Sequence, residues 1–127
     1  MIGTVCISAF KYYDSAKQKM LFKGRPVLVI GRADSSDYVV LPISRVTKRE
    51  NLDAHYDYEM KPETYARSAL QLSAVSYVRT HKQAVLNEGE ITKQIFNLKQ
   101  EFPEEYAEII DLVEEFQRNL INNARAE

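Results

Sequence analysis

Arg25 and Ser44 are the residues whose types and spacing point most directly to chemistry. Each ends a strand-like segment, and the turn-rich segment 32–37 joins the two segments. If the turn is centred between residues 34 and 35, Arg25 and Ser44 lie equally far from that centre. In an antiparallel pair they then face each other at one end of the sheet, with Arg45 beside them. A one-residue slip in register would remove this facing.

A guanidinium beside a hydroxyl is suited to phosphate chemistry. Arginine offers a rigid, permanently charged fork that fits phosphate oxygens, and a hydroxyl adds one more hydrogen bond. Together they can stabilise the extra negative charge of a phosphorane-like transition state. Neither group is a good general base near neutral pH, so we expect a base from elsewhere in the chain.

A second polar cluster, residues 77–82, supplies a candidate for proton transfer. Histidine side chains in general titrate near neutrality, so His81 could exchange protons with a ribose hydroxyl or a leaving group. Arg79 and Lys82 add two fixed charges. The alternative is that Arg79 and Lys82 are surface charges and that His81 is a turn residue. His55, the second histidine, is interpreted as structural.

Composition excludes several other classes of protein. The chain of 127 residues has a formal net charge of −1, so any polyanion partner must be held by a local basic patch. Its single cysteine, Cys6, is expected to be a buried thiol, and no spacing of ligands predicts a metal site. No glycine-rich phosphate loop or dinucleotide fingerprint predicts a cofactor. The absence of a long apolar run or leader-like start favours a cytoplasmic protein without membrane contact.

These side chains must be positioned by a mainly β first part, residues 1–90, of a single domain spanning residues 1–127. Short spacing between strand-like segments predicts a compact antiparallel sheet or small barrel. The predicted strands are Ile2–Phe10, Pro26–Ile30, Tyr38–Ile43, Tyr56–Met60, Leu70–Val78 and Ala84–Leu86. The lysine-rich segment 11–24 is interpreted as a loop, with a functional role and a merely solubilising role weighted equally.

The second part, residues 91–127, is predicted to be helical. Ile91, Ile95, Leu98 and Phe102 recur at helical spacing, and Pro103 is suited to begin a further helix. An apolar stripe then predicts a helix face packed on the sheet: Tyr106, Ile109, Ile110, Val113, Phe116 and Leu120.

Several short motifs, in this order, resemble those of the MazF/PemK toxins of bacterial toxin–antitoxin systems. They are Gly3 with Val5, "RPVLVI" at 25–30, "VVLPIS" at 39–44 and "YVRT" at 77–80, followed by an apolar C-terminal helix. The resemblance implies an α+β, mainly β fold: a small SH3-like antiparallel barrel with C-terminal helices, usually a homodimer. It also implies a metal-independent, sequence-specific endoribonuclease, blocked by an acidic segment of a cognate antitoxin.

The family's catalytic residues carry over in part. Arg25 matches the catalytic arginine, and Ser44 matches a position that is often threonine. Ser76 stands where some relatives have an acidic residue, and Ala74 where some have an arginine. His81 or the segment 11–24 is therefore left to supply proton transfer.

Two functions follow as alternatives. In the first, the 2′-hydroxyl of single-stranded RNA attacks the adjacent phosphate, leaving a 2′,3′-cyclic phosphate, with Arg25, Ser44 and His81 as catalytic residues. In the second, a non-cleaving module on the same barrel binds nucleic acid or protein, since the acidic residue is missing at Ser76. The residues expected to contact RNA are Lys23, Arg45, Ser76, Arg79, Thr80 and Lys82, with Tyr12 or Tyr13 stacking on a base.

Overall fold

The fold is α+β and mainly β, as predicted: a curled, half-barrel sheet of antiparallel strands is followed by C-terminal helices. The computed structural model describes residues 1–126, with the side chains of residues 10–12 outside the description. Its strands are β1 (Thr4–Asp14), β2 (Lys19–Arg32), β3 (Asp37–Ser44), β4 (Asp57–Met60), β5 (Ser76–Arg79), β6 (Ala84–Asn87) and β7 (Ile91–Asn97). Helices α1 (Leu98–Glu101) and α2 (Pro103–Arg125) follow.

Strand order explains which residues meet at each end of the sheet. The order is β4-β5-β3-β2-β1-β7, and β6 pairs with the first half of β3. The first and last strands of the chain are therefore neighbours, with Val5 opposite Phe96. Three short 3-10 turns, Arg49–Asn51, Pro62–Tyr65 and Glu88–Glu90, connect these elements.

The central strand β2 is buried on both faces at residues 27–29, as the unbroken apolar run 27–30 predicts. Leu28 packs into the larger core cluster, which lies between the sheet and α2 and includes Leu41, Ile109 and Val113. Val27 and Val29 belong to the cluster on the opposite face, which also contains Cys6. Cys6 is fully buried, as expected, and this burial raises the pKa of its thiol.

Gly3 forms backbone hydrogen bonds both to β2 and to the start of α1. Its N–H donates to the carbonyl of Val29 and its carbonyl accepts from the N–H of Leu98, both at 2.7 Å. It has a φ of 87°, and a Cβ there would lie 2.4 Å from the Cβ of Lys99. Only glycine fits this conformation and this approach.

The helical prediction for residues 91–97 is wrong, because they form β7 and pair with β1. Only residues from Leu98 onward are helical, so the division into 1–90 and 91–127 moves by seven residues. Ile91 and Ile95 fit both structures, since a separation of four residues is close to one helical turn and equals two strand periods. The β-branched side chains and the open edge of β1 favour the strand.

The predicted loop 11–24 is also wrong: most of it is a hairpin. Residues 9–14 of β1 pair with residues 19–24 of β2, as far as Asp14 opposite Lys19. Asp14 closes the turn by accepting hydrogen bonds from the N–H groups of Ala16 and Lys17, at 2.9 and 3.0 Å. The loop prediction rested on the lysine-rich composition of residues 11–24.

The predicted strand Leu70–Val78 is mostly irregular; only Ser76–Arg79 forms β5. The predicted helix start at Pro103 is confirmed, with Glu104 and Glu105 in the first turn of α2. The apolar stripe of α2 is buried at Tyr106, Ile109 and Val113, whereas Leu120 is exposed. None of the described helices is both long and apolar enough to cross a membrane.

Candidate phosphate-binding cavity

A cavity of about 760 Å³ opens at the sheet end where β2 and β3 leave their pairing. One wall comes from β1, β2 and β7, and the other from the end of β3, the segment 69–73 and the start of β5. The lining residues are Ile7, Lys23, Gly24, Arg25, Pro26, Ile43, Ser44, Arg45, Ala69, Leu70, Gln71, Leu72, Ser73, Ser76, Lys93 and Ile95.

Arg25 and Ser44 both line this cavity, at the place that the hairpin argument predicts. Val27 pairs with Pro42, and the same register continued by two residues sets Arg25 opposite Ser44. A register shift between Val29 and Gly31 lies nearer the turn and moves the loop, but it leaves the cavity end in the predicted register. Arg25 is exposed and Ser44 half-buried, so both are accessible from the cavity.

The charge of the cavity is its most distinctive property. Four of its lining residues are cations, Lys23, Arg25, Arg45 and Lys93, and none of the described lining residues is Asp, Glu or His. A chain with a net charge of −1 thus gathers four positive charges around one concave surface. Converging cations in a cleft attract polyanions and bind phosphate oxygens directly.

The segment 69–73 has no regular secondary structure and is held by local hydrogen bonds and by one buried side chain. Ser68 Oγ donates to the carbonyl of Tyr65 at 2.8 Å and accepts from the N–H of Leu70 at 3.1 Å. The Leu70 side chain is buried in the core. Gln71 Nε2 donates to the carbonyl of Ser68 at 2.7 Å, which fixes that amide at the cavity wall.

A hydrogen bond within the second wall holds one of the cations. Arg45, which follows the end of β3, donates from Nη2 to the hydroxyl of Ser73. Ser76 lines the cavity as well, buried, with its Oγ donating to the carbonyl of Ala74 at 3.3 Å. Of the residues predicted to contact RNA, the structure therefore brings Lys23, Arg45 and Ser76 to Arg25 and Ser44.

Arg79 does not lie at the cavity, because β5 runs away from it. Ser76 begins β5 at the cavity, and Arg79 is three residues, or about 10 Å, further along. Its guanidinium is engaged by the fully buried carboxylate of Asp57, with Nε–Oδ1 3.0 Å and Nη2–Oδ2 3.2 Å. It also donates to the carbonyl of Asn51 at 2.7 Å. Arg79 is thus placed as a structural residue.

Thr80, His81 and Lys82 follow Arg79 at the same distant end. Thr80 is fully buried and donates its hydroxyl to the carbonyl of Tyr56. His81 lines a separate groove against α2, where its ring packs edge-on against Phe116. Its Nδ1 lies 3.8 Å from Asp57 Oδ1. Lys82 is exposed. The expectation that His81 stands beside Arg25 and Ser44 is not met.

Tyr12 and Tyr13 are the two tyrosines predicted to stack on a base. The side chain of Tyr12 lies outside the described residues. Tyr13 is 61% exposed on the β1–β2 hairpin. His55, interpreted as structural, is in a polar contact with Glu115 of α2 at 2.9 Å, which helps to hold the helix against the sheet.

Lys93 is a candidate residue that sequence reasoning missed. It lies on β7 opposite Ile7, and the helical interpretation of 91–97 gave it no place in the sheet. We expect Lys93→Ala to weaken binding of single-stranded RNA and to reduce the slope of log K against log salt by about 0.7, one phosphate contact. Binding titrations at several salt concentrations measure this slope.

Lys82→Ala is the matched control for Lys93, since it removes an exposed lysine distant from the cavity. It should leave the salt slope unchanged. Equal slopes for wild type and Lys93→Ala would contradict a phosphate contact at Lys93.

Comparison with known proteins adds no family assignment. No protein-family model matches the chain, and no curated protein matches it.

Proposed function

We propose that this chain is a metal-independent endoribonuclease that cleaves single-stranded RNA, a toxin of the MazF/PemK type. The observation that carries the proposal is the cavity at which Arg25 and Ser44 meet, with four cations and no acidic residue among its described lining. Such a cavity suits a single strand of phosphates better than a small neutral substrate. A requirement for the ribose 2′-hydroxyl would restrict cleavage to RNA.

In the proposed reaction the 2′-hydroxyl oxygen forms a bond to the adjacent phosphorus while the bond from phosphorus to the 5′-oxygen breaks. We assign the stabilisation of the pentacovalent phosphorane to the guanidinium of Arg25, with the Ser44 hydroxyl donating to a phosphoryl oxygen. The products are a 2′,3′-cyclic phosphate and a 5′-hydroxyl.

Proton transfer is assigned to water. The described lining offers no carboxylate or imidazole, and His81 lies in another groove. Water therefore takes the proton of the 2′-hydroxyl and returns one to the leaving 5′-oxygen. This replaces His81 as the acid–base partner in the proposed mechanism.

The same cavity suits the proposed protein partner. An acidic, extended segment of a cognate antitoxin would place carboxylates against Lys23, Arg25, Arg45 and Lys93 and so compete with RNA. Toxins of this type act as cytoplasmic homodimers, and we propose the same state here.

A second function, binding of RNA without cleavage, is favoured by one observation. The described lining of the cavity contains no carboxylate or imidazole for acid–base catalysis. General acid–base catalysis contributes about 10²- to 10⁴-fold to typical reactions, so its loss could leave a cavity that only binds.

The deciding assay incubates the purified protein with a long single-stranded RNA in EDTA and maps the ends. We expect cleavage to persist in EDTA, because four cations can fix a strand without a metal ion. We expect the cuts to fall at a short recurring sequence, as the resemblance to MazF/PemK toxins implies. The new ends should be 2′,3′-cyclic phosphate and 5′-hydroxyl.

A control RNA of the same sequence with 2′-O-methyl groups should bind and stay intact. Intact natural RNA that is nevertheless bound would favour the binding module. Neither binding nor cleavage across diverse sequences would reject both functions.

A further inference from the structure

The β1–β2 hairpin extends past the rest of the sheet as a two-stranded ribbon, residues 9–14 and 19–24. Among the described residues, β7 accompanies β1 only as far as Ser8, and β3 accompanies β2 only from Val27 onward. The ribbon is therefore flanked by no third strand. Its cross-strand pairing is unbroken up to Asp14 opposite Lys19.

One face of the ribbon continues the floor of the cavity. Paired residues share a face, and so do residues two apart along a strand. Ile7 pairs with Pro26 and both line the cavity, and Gly24 lies next along that face. Phe22 follows Gly24, and the pair Tyr13 and Met20 follows Phe22.

Large apolar side chains are exposed along this face. Phe22 is 66% exposed, Tyr13 61% and Met20 55%. At about 3.4 Å per residue, Phe22 lies about 7 Å and Met20 about 14 Å beyond Gly24. We call these three side chains the platform.

Gly24 has no side chain to separate the cavity from the platform. A Cβ at this position would already lie 3.1 Å from Cγ2 of Ile7, so the side chain of any larger residue would project between the two surfaces. Charges stand where this path begins. Lys23 and Arg25 line the cavity, although they alternate with Gly24, Phe22 and Met20 and so start from the opposite face of β2.

We propose that the platform stacks the bases of the RNA nucleotides that leave the cavity. Aromatic faces bind single strands with little regard to sequence, since each base offers a π-face, while the cations of the cavity hold the phosphates at the place where the strand leaves it. The inference rests on the proposed binding of RNA at the cavity, but not on cleavage. The cations of the cavity from which the platform extends favour a nucleic acid strand over an apolar protein surface.

The test uses fluorescently labelled 2′-O-methyl RNA, which cannot be cleaved, in two lengths. An oligomer of about four nucleotides fills the cavity only, while one of about twelve also reaches the platform. We expect Tyr13→Ala/Phe22→Ala to weaken binding of the long oligomer at least tenfold and to leave the short one unchanged. Val85→Ala, which removes a similarly exposed side chain from β6, should change neither.

A second variant tests the platform even if the ribbon fails to form in Tyr13→Ala/Phe22→Ala. The chain has no tryptophan, so Phe22→Trp places a single reporter on the platform. Stacking of a base should quench its fluorescence with the long oligomer and not with the short one.

The two oligomers distinguish a failure of the platform from a failure of the proposed function. The platform is overturned if wild type and Tyr13→Ala/Phe22→Ala bind the long oligomer with equal affinity and the fluorescence of Phe22→Trp is not quenched. That result would leave RNA binding at the cavity in place. Such a result would point to a protein partner for the ribbon. If the wild type binds neither oligomer, the proposed function fails and the platform fails with it.

Discussion

Arg25→Ala should lower the rate of RNA cleavage by about 10²- to 10³-fold, the usual cost of removing one preorganised donor to a developing anion. The loss should be mainly in kcat, because three other cations remain in the cavity to hold the strand. Arg25→Lys keeps the charge but loses the planar fork, so its rate should fall between those of wild type and Arg25→Ala. Single-turnover kinetics on one mapped cleavage site measures all three.

The fold should survive this substitution. Arg25 is exposed, and its backbone carbonyl, which accepts from Ser8 Oγ at 3.2 Å, is kept in the variant. Arg118→Ala is the matched control, because it removes an exposed arginine of α2 that pairs with Glu114. An Arg25→Ala protein that cuts RNA at the wild-type rate would refute the assignment.

Asp57→Ala should destabilise the fold by about 3–5 kcal/mol, the cost of leaving one member of a buried ion pair alone. The side chain of Asp57 is fully buried, and that of Arg79 is only 20% exposed. Asp57 also accepts from the N–H of Asp53 at 2.8 Å, so its loss leaves a second donor without a partner. Chemical denaturation of the purified variants measures the change in unfolding free energy.

Two further variants show whether the pair itself is responsible. Asp57→Asn should cost less, because an amide still accepts a hydrogen bond from Arg79. Asp57→Ala/Arg79→Met should recover part of the stability, since it removes both charges together. Arg79→Met should leave the affinity for RNA unchanged, and a weaker affinity in a folded variant would return Arg79 to the RNA-binding residues.

The end of the sheet that carries Arg25 and Ser44 could be predicted because it depends on local pairing. A hairpin joins strands that are close in sequence, so one turn position fixes every opposite pair. The bulge between Val29 and Gly31 did not disturb this, since it lies between the turn and the cavity. Lys23 and Arg45 could be predicted at the same place, because they are close in sequence to Arg25 and Ser44.

The segment 69–73 and Lys93 could not be placed at the cavity in this way. Gln71 and Ser73 lie on an irregular segment whose alternating apolar residues looked like a strand. Lys93 reaches the site by pairing with a strand 86 residues earlier, opposite Ile7, and no local pattern encodes such a contact. His81 was misplaced for a related reason: its distance from the cavity depends on the direction of β5, which β3 and β4 determine.

The pairing of β1 with β7 has a consequence for how the chain folds. β1 and β2 are joined by a short turn and can pair early, whereas Val5 must find Phe96 across 91 positions of chain. Contacts of such long sequence separation carry a high loop-closure entropy and tend to form late. The ribbon and the part of β2 that carries Arg25 can therefore exist before β7 adds Lys93 to the cavity. Binding competence should thus appear as a slow kinetic phase after the hairpin has formed.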